Sequence, residues 1–341
     1  MELALYCPDH GFYEREKYSV GRHGDFYTSV SVGPLFGQML AFQFATWMET
    51  ESQTQPSKIN LIESGAHDGK LAGDILRWFQ NRRPQLFAQM EYWIVEPSPR
   101  RQAWQRQRLA EFSDRVRWVS ALEDLGKVNG VIFSNELLDA FPVRRLGWDA
   151  ANKNWFEWGV SWAGEKFSWA RMRPTETPDL KLQLPNLPAE LLAVLPEGFT
   201  TEICPAAANW WRTAAGLLAR GKLLTLDYGL AAEEFFQPGR AAGTLRSYRR
   251  HQAGADVLAN AGAQDITAHV NFSGLQSVGE AAGLKTETFV SQAKFLTDLA
   301  GRLWQPQSGF GEWTPSLTRQ LQTLTHPEHL GRPFRVLVQS R

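Results

Sequence analysis

Residues 58–71 read KINLIESGAHDGKL, and this stretch decides the fold class of the chain. Residues 58–63 form a short apolar run, which is typical of a buried strand. A loop with Gly65 and Gly69 follows, and an apolar pattern at helical spacing then runs to a stop at Pro84. A strand, a glycine loop and a helix in this order predict the first unit of an open α/β sheet. The apolar positions of the helix are Leu71, Ile75, Leu76 and Phe79.

The same alternation continues along the rest of the chain. Short apolar runs predict further strands, and a polar helix over 100–112 separates the first two of them. Near the end, a helix over 273–283 precedes the last two runs. Strands that alternate with helices at this spacing predict a doubly wound, mostly parallel sheet that is covered on both faces. The further strands are predicted at 92–95, 116–119, 131–133, 223–226, 285–290 and 334–338.

Three stretches do not follow the alternation. We predict that residues 1–50 form an N-terminal cap segment and that residues 51–341 form one domain with two insertions. The insertion at about 143–200 is rich in tryptophan around Ala163-Gly164, which predicts an antiparallel hairpin. The insertion at about 235–272 is rich in Arg, Gly and Ala and shows weak periodicity.

The bulk composition excludes several classes of protein. Hydrophobic residues make up 43% of the 341 residues, so the chain can bury a core and is not disordered. Lysine plus arginine and aspartate plus glutamate both number 36, and this balance argues against a nucleic-acid platform. Two cysteines, Cys7 and Cys204, are too few for a disulfide framework. The absence of a long apolar run and of a signal peptide over 1–9 predicts a cytoplasmic protein without a membrane span.

Two sequence signals lie where strands of the predicted sheet end, the first a glycine pattern and the second a single acid. The pattern E-x-G-x-x-x-G over 63–69 follows the first strand and is either a structural turn or a ligand loop. Glu96 ends the second strand, where an acid either accepts ribose hydroxyls or is an ordinary solvated side chain. A dinucleotide loop needs G-x-G-x-x-G, and no third glycine follows at that step. The spacing disfavours a nicotinamide dehydrogenase and favours a nucleoside with a charged amino-acid tail.

A third signal begins at the end of the fourth predicted strand. Residues 133–142 read FSNELLDAFP, so Asn135 and Glu136 lie at the sheet edge and Asp139 follows one turn later. Polar groups at this edge face the reaction centre of a doubly wound enzyme. The alternative is a helix N-terminus at which the helix dipole favours acids.

Two further segments carry polar residues outside any periodic pattern. Residues 24–29 read GDFYTS and are either an ordinary turn or a loop that folds over a cofactor. Residues 243–251 and 265–272 contain two histidines and several arginines. A zinc site needs four closely spaced ligands, and that pattern is absent from the sequence, so we expect no metal site.

Taken together and in order, these segments resemble the MidA-like methyltransferases, a family that includes a mitochondrial assembly factor for respiratory complex I. The likeness covers nearly the whole chain, and the ordered set is more specific than any one motif. The matching segments are Ala4–Pro8 with Gly11–Tyr13, Gly24–Phe26 with Thr28, Phe36-Gly37, Glu63–Leu71, Glu96–Ser98, Asn135–Pro142, Asp227–Gly229, Gly243–Leu245, Asp265–Phe272, and Gln292 with Phe295-Leu296.

The resemblance implies a class I methyltransferase fold, with a seven-stranded sheet whose last strand is antiparallel and an extra substrate-facing region. It implies S-adenosyl-L-methionine as the methyl donor and suggests the arginine of a protein substrate as the acceptor. In such a site we expect Glu136 and Asp139 to orient or deprotonate the acceptor nitrogen. We expect cofactor contacts from Gly24, Asp25, Thr28, Glu63, Gly65, His67, Gly69, Glu96, Glu123 and Asn135, with Glu96 at the ribose and Glu123 near the adenine.

The chain departs from the family pattern at two places. His67 stands where the family has the middle glycine of its cofactor loop, and Val30-Ser31 stands where it has Pro-Glu. These departures leave a competing hypothesis, which is a catalytically degenerate methyltransferase fold that acts as an assembly scaffold. Its contact surface would be the Trp-rich region 155–169.

Overall fold

The computed structural model of the chain describes residues 1–14, 28–52, 59–172, 189–249, 252–254 and 256–341. Contacts divide the chain into two compact units. We call the first the sheet unit; it comprises Val20–Leu137, Arg212–Asp227 and Gly279–Arg341. We call the second the insertion unit; it comprises Met1–Ser19, Leu138–Trp211 and Tyr228–Val278.

The helices and strands are numbered along the chain. The α-helices are α1 Glu2–Tyr6, α2 Ser29–Val32, α3 Leu35–Ser52, α4 Lys70–Arg82, α5 Pro84–Gln89, α6 Pro99–Arg108, α7 Ala189–Val194, α8 Pro205–Leu217, α9 Ala232–Phe235, α10 Phe272–Ala281, α11 Gln292–Leu303 and α12 Pro315–Thr325. The strands are β1 Ile59–Ser64, β2 Met90–Val95, β3 Val116–Val119, β4 Val128–Asn135, β5 Arg144–Asp149, β6 Asn154–Trp162, β7 Phe167–Met172, β8 Thr200–Ile203, β9 Leu218–Leu230, β10 Arg246–Arg249, β11 Gln252–Gly254, β12 Asp265–Thr267, β13 Val270–Asn271, β14 Lys285–Ser291 and β15 Phe334–Ser340.

The sheet unit is built on a sheet with the strand order β14-β15-β9-β4-β1-β2-β3 within the described residues. The pairs of β1 with β2 and β4, of β2 with β3, and of β4 with β9 are all parallel. The last strand, β15, is antiparallel to β14. The predicted doubly wound sheet with an antiparallel last strand is therefore confirmed. Each predicted strand is present, and its ends differ from the prediction by at most three residues, or by up to five residues in β9.

Apolar runs place these strands in the core. Phe133 of β4 lies 4.9 Å, centroid to centroid, from Phe44 of α3 and 6.4 Å from Tyr92 of β2, and all three side chains are buried. The helix after β1 buries the four apolar positions that its spacing predicted. It ends at Arg82, and Pro84 begins the next helix at a position where no backbone donor is needed.

The strand order places a topological switch point beside β1. From β1 the chain moves outward to β2 and β3, and it then returns to place β4 on the other side of β1. In open α/β sheets the crevice at the carboxyl ends of two such strands is the ligand site. Here that crevice lies between the ends of β1 and β4, where the sequence places Ser64 and Asn135.

The insertion unit contains two antiparallel sheets. One has the order β7-β6-β5-β8, and its β6–β7 hairpin turns at Gly164, so the hairpin predicted around Ala163-Gly164 is confirmed. Trp148, Leu195 and Phe199 form its core. The other sheet has the order β11-β10-β12, and its strands of three or four residues are too short to show periodicity in the sequence.

The domain boundaries inferred from the sequence stay a prediction. The described residues before β1 are divided between the units, since 1–14 belong to the insertion unit and 28–52 to the sheet unit. In the part of the chain that the structure describes, every helix falls short of the combined length and apolar character needed to cross a bilayer. The cytoplasmic location also stays a prediction.

Candidate active site

The loop after β1 turns at two glycines and delivers the start of α4 to the crevice. Gly65 has φ 78° and Gly69, the residue before α4, has φ 84°, both in the left-handed region that favours glycine. A Cβ on Gly65 would also lie 2.8 Å from a methyl group of Leu137. The loop closes with a 2.7 Å hydrogen bond from Gly69 N–H to the Ala66 carbonyl. The N-terminus of α4 thus points its backbone donors toward the switch point.

His67 adopts a backbone conformation that suits the glycine of the family pattern. Its φ is 47°, which costs a non-glycine residue about 1 kcal/mol. Its carbonyl accepts a 2.9 Å hydrogen bond from Gln105 Nε2. Its ring Nδ1 lies 3.7 Å from Asp68, and Asp68 pairs with Arg108. The loop of this chain therefore holds His67 in a left-handed turn.

Two buried polar atoms belong to the last residues of β1 and β4, the strands that flank the switch point. Within the described residues, neither Ser64 Oγ nor Asn135 Oδ1 has a hydrogen-bond partner. Asn135 Nδ2 is used, since it donates to Glu136 Oε1 at 3.1 Å. Buried polar atoms are normally paired, so a pair of open ones at the ends of adjacent strands is a mark of a ligand site. These atoms fit the polar amino-acid or ribose groups of a nucleoside ligand.

Glu63 lies inside the sheet at the end of β1. Its side chain is 2% exposed and accepts a 2.6 Å hydrogen bond from the Tyr92 hydroxyl of β2. Burial raises the pKa of Glu63 to about 7, although the Tyr92 hydrogen bond acts in the opposite direction. The hydrogen bond from Tyr92 of β2 therefore fixes the Glu63 carboxyl next to the glycine loop.

Glu96, at the end of β2, is an acid held by several donors. Its Oε1 accepts from Ser98 N–H at 2.9 Å and lies 3.0 Å from Arg101 Nε. Its Oε2 accepts from Gln105 Nε2 at 3.2 Å, and the side chain is 2% exposed. The structure thus contradicts the alternative of a solvated strand-end acid.

Glu136 lies at the end of β4 in a left-handed backbone conformation, with φ 51°. Its Oε1 accepts from Ser29 N–H at 3.2 Å and from Asn135 Nδ2 at 3.1 Å. Its backbone N–H donates to the Leu226 carbonyl of β9. Shielding from solvent raises the pKa of Glu136 to about 8, and the negative charge of Asp227 adds to the rise while the two hydrogen bonds oppose it.

The segment before α2 supplies a helix cap. Thr28 Oγ1 accepts from Ser31 N–H at 3.1 Å, and Thr28 N–H donates to Ser31 Oγ at 3.0 Å. This reciprocal pair is a capping box, in which the third helical residue is usually Glu or Gln. Ser31 therefore takes the capping position in which a glutamate is usual. Gly24 and Asp25, two predicted cofactor contacts, lie outside the described residues.

Two predicted site residues lie in other surroundings. Glu123 is exposed on a short 3₁₀ helix, Leu122–Asp124, and accepts from Thr213 of α8 at 3.4 Å. Asp139 belongs to the insertion unit, on the 3₁₀ helix Leu138–Ala140, where its carbonyl accepts from Ala268 N–H. The charge of Asp139 contributes to raised pKa values of Tyr13 and Tyr228, after burial. The structure thus brings Thr28, Glu63, Gly65, His67, Gly69, Glu96, Asn135 and Glu136 to one edge of the sheet unit.

Sequence reasoning missed a central residue of this edge. Gln105 is fully buried and bonds the His67 carbonyl, Glu96 and the Trp118 indole N–H. Trp104, the neighbouring residue of the same helix, is only half-buried. Helical spacing could have indicated that Gln105 is buried, because it stands four residues before the buried Leu109 on one face of the helix.

The fold and this edge together define the class. In the described residues the main path of the central sheet has seven strands, which numbered along the chain have the order 3-2-1-4-5-7-6, while β13 adds a short pairing to β9. The last strand is antiparallel, and an acidic crevice lies at the switch point. This is the Rossmann-like arrangement of class I methyltransferases.

Comparison with known proteins agrees with this class. A family model described as "Putative S-adenosyl-L-methionine-dependent methyltransferase" matches residues 39–290. A crystal structure of a Burkholderia thailandensis protein bound to S-adenosyl-homocysteine has a TM-score of 0.83 and 32% identity, over 100% of this chain and 86% of that one. A native crystal structure from the same organism has a TM-score of 0.78 at 32% identity, over 100% of this chain and 85% of that one.

Curated relatives extend over nearly the whole chain. The mitochondrial protein arginine methyltransferase NDUFAF7 of Xenopus laevis is 26% identical over 98% of this chain and 78% of its own length. The human protein of the same name is 25% identical over 98% and 77%. The chain therefore belongs to the family of S-adenosyl-L-methionine-dependent methyltransferases that the model describes, and the sequence-based assignment of family and cofactor is confirmed.

Proposed function

We propose that the protein transfers a methyl group from S-adenosyl-L-methionine to a side-chain nitrogen of a protein substrate, and that this nitrogen belongs to an arginine. The observation that carries the methyl transfer is the acidic edge at the switch point, with the open Ser64 Oγ and Asn135 Oδ1. The arginine acceptor is supported by the name of the NDUFAF7 relatives at about a quarter identity.

The residues of this edge fit the cofactor in charge and in polarity. When bound, the cofactor supplies a methyl group that is already electrophilic because it is attached to a sulfonium. The acids Glu96 and Asp227, both buried at this edge, make the crevice complementary to that positive charge. The loop from Gly65 to Gly69 offers backbone donors to the carboxylate of the amino-acid end, and Ser64 Oγ and Asn135 Oδ1 offer further polar contacts.

Glu96 is suited to hold the ribose. Ser98, Arg101 and Gln105 fix the orientation of its carboxylate before any ligand arrives. Preorganisation of this kind reduces the entropy lost on binding. Thr28, at the start of α2, closes the same edge, and Glu123 is retained as an adenine contact only as a prediction.

Glu136 and Asp139 have different roles in this proposal. Because the pKa of Glu136 is raised to about 8, most Glu136 carboxyls carry a proton at neutral pH. A protonated carboxyl donates and accepts hydrogen bonds, so Glu136 orients the acceptor. Asp139 is then the candidate base, which accepts a proton from the acceptor nitrogen as the new bond forms.

The test is methyl transfer to matched peptides that differ only in Arg or Lys, followed by mass spectrometry. We expect one methyl group on the Arg peptide, and Asp139→Asn should slow this transfer about 100-fold or more while S-adenosylhomocysteine affinity is kept. Asp298→Asn is the control, because Asp298 is an exposed acid of α11 that pairs with Lys294. Transfer to Lys alone would overturn the arginine assignment, and an unchanged rate for Asp139→Asn would exclude it as an essential base.

A scaffold without methyl transfer is the competing function. Its supporting observation is the tip of the β6–β7 hairpin, where Trp162 is 60% exposed and Phe167 42% exposed, with ring centroids 4.8 Å apart. Large exposed aromatic pairs are typical of contact surfaces. The scaffold predicts retained partner binding without cofactor binding, whereas the proposed enzyme binds both.

A further inference from the structure

Ser29 links the proposed active site to a buried side chain elsewhere in the sheet unit. Ser29 is the first residue of α2, and it is fully buried. Its backbone N–H donates to Glu136 Oε1 at 3.2 Å. Its hydroxyl donates to Gln292 Oε1 at 3.1 Å.

Gln292 has its amide orientation fixed on the opposite side. This residue begins α11 and is fully buried. Its Nε2 donates to the Leu324 carbonyl at 3.1 Å and to the Leu330 carbonyl at 3.4 Å. Since an amide nitrogen cannot accept, these two carbonyls require that Oε1 faces Ser29. The side chain therefore connects the end of α12 to the start of α2.

The start of α2 depends on such contacts. A helix of four residues is too short to be stable on its own, so its position is set by what holds it. Lys70 Nζ donates a 2.8 Å hydrogen bond to the Val30 carbonyl, and Leu35 N–H donates to Gln320 Oε1. These contacts fix the middle and the end of the segment, while Gln292 fixes Ser29 itself.

We propose that Gln292 is a positioning residue for methyl transfer, because it holds Ser29 so that the Ser29 backbone N–H is aimed at Glu136. The inference rests on the proposed role of Glu136 in orienting the acceptor. Gln292 acts on Glu136 through one intervening residue, Ser29.

The hydrogen bond from Ser29 lowers the pKa of Glu136. The groups that face Glu136 are Asp227 on β9, which raises its pKa, and the donors Asn135 on β4 and Ser29 on α2, which lower it. A hydrogen bond to the ionised carboxylate stabilises that form. Loss of the Ser29 hydrogen bond therefore raises the pKa of Glu136 further, which shifts its ionisation to higher pH.

The experiment measures the Glu136 carboxyl directly by carbon-13 NMR titration of protein labelled at the glutamate carboxyl carbon. The Glu136 signal is assigned by its disappearance in Glu136→Gln. We expect Gln292→Met to move the midpoint upward by about one pH unit, and Ser29→Ala to move it in the same direction by less. Gln339→Met is the control, because Gln339 is an equally buried amide that donates to Thr286 at 2.8 Å.

An unmoved Glu136 midpoint in folded Gln292→Met, or the same movement in Gln339→Met, would overturn the proposal. If Gln292→Met does not fold, the Glu136 midpoint of Ser29→Ala is compared with that of the wild type, and an unmoved midpoint there would overturn the proposal. The titration needs no cofactor, so it tests the role of Gln292 independently of the proposed function. A failure of the proposed function would appear instead as absent S-adenosylhomocysteine binding by the wild-type protein. For an active enzyme, Gln292→Met should also lower kcat more than it raises KM for the cofactor.

Discussion

The acids at the carboxyl edge of the sheet unit differ in their residue-level surroundings. Glu96 is contacted by an arginine and by two neutral donors. Glu63 and Glu136 are shielded from solvent, and burial raises their pKa values to about 7 and about 8. Environments that separate the ionisation of neighbouring acids are common where acids have different roles in one site.

The first residue-level prediction concerns Glu63→Gln, which keeps an acceptor for the Tyr92 hydroxyl. The folded pKa of Glu63 is about 7 against an ordinary value of 4.5, so the unfolded chain ionises first as pH rises. The free energy of unfolding of the wild type should therefore decrease as the pH rises from about 4.5 to about 7. Glu63→Gln has no carboxyl at this position and should lack this decrease. The two proteins should diverge by up to about 3 kcal/mol in urea titrations between pH 5 and pH 8. Parallel stability curves would contradict the burial argument.

The second residue-level prediction concerns Glu96→Ala. Loss of a fixed, charged acceptor should weaken S-adenosylhomocysteine binding at least about tenfold, which is roughly 1.4 kcal/mol. Glu111→Ala is the control, because Glu111 pairs with Arg77 on an exposed surface. Calorimetric titration measures both, after thermal unfolding has shown that each variant folds. Equal affinities would remove the ribose assignment of Glu96.

At the scale of elements, a four-residue helix explains one departure from the family pattern. The sequence showed Val30-Ser31 in place of Pro-Glu, which suggested a lost functional carboxylate. The structure gives Ser31 the capping position opposite Thr28, where its hydroxyl accepts from the Thr28 N–H, a role that a glutamate can also fill. The spacing of a capping box was visible in the sequence, but its recognition required the start of α2 to be known.

Two substitutions at position 31 test the capping role of Ser31. Ser31→Ala removes the acceptor for Thr28 N–H and should lower the free energy of unfolding by about 1 kcal/mol. Ser31→Glu restores an acceptor that reaches back to Thr28, so its stability should remain near that of the wild type. Urea unfolding of the three proteins measures this. A loss in Ser31→Glu as large as that in Ser31→Ala would show that capping is not the role of this side chain.

The regular elements were predictable from the sequence, and the polar connections between them were not. Apolar runs and helical spacing predicted β1, α4 and the hairpin at Gly164, because these patterns arise from burial along one element. Gln105 and Gln292 are buried polar residues whose partners are distant in sequence. Periodicity gives no information on such partners, so the roles of these residues appear only in the folded chain.

At the scale of the whole molecule, strand order determines where the candidate site lies. The turn of the chain from β3 back to β4 opens the crevice beside β1, and the motifs after β1, β2 and β4 meet there although they are far apart in sequence. Sequence order alone predicted this edge once the sheet was taken to be doubly wound. The placement of Asp139 in the insertion unit was not predictable, because it follows β4 by only four residues.

The central claim, that this edge binds the cofactor, is tested most directly by calorimetric titration of the wild-type protein with S-adenosylhomocysteine. We predict one site per chain with a dissociation constant in the micromolar range, which corresponds to about −8 kcal/mol. Such binding would show that the left-handed His67 is compatible with a functional cofactor loop. An absence of binding by folded protein would contradict the account and would favour a scaffold that retains only the fold of its family.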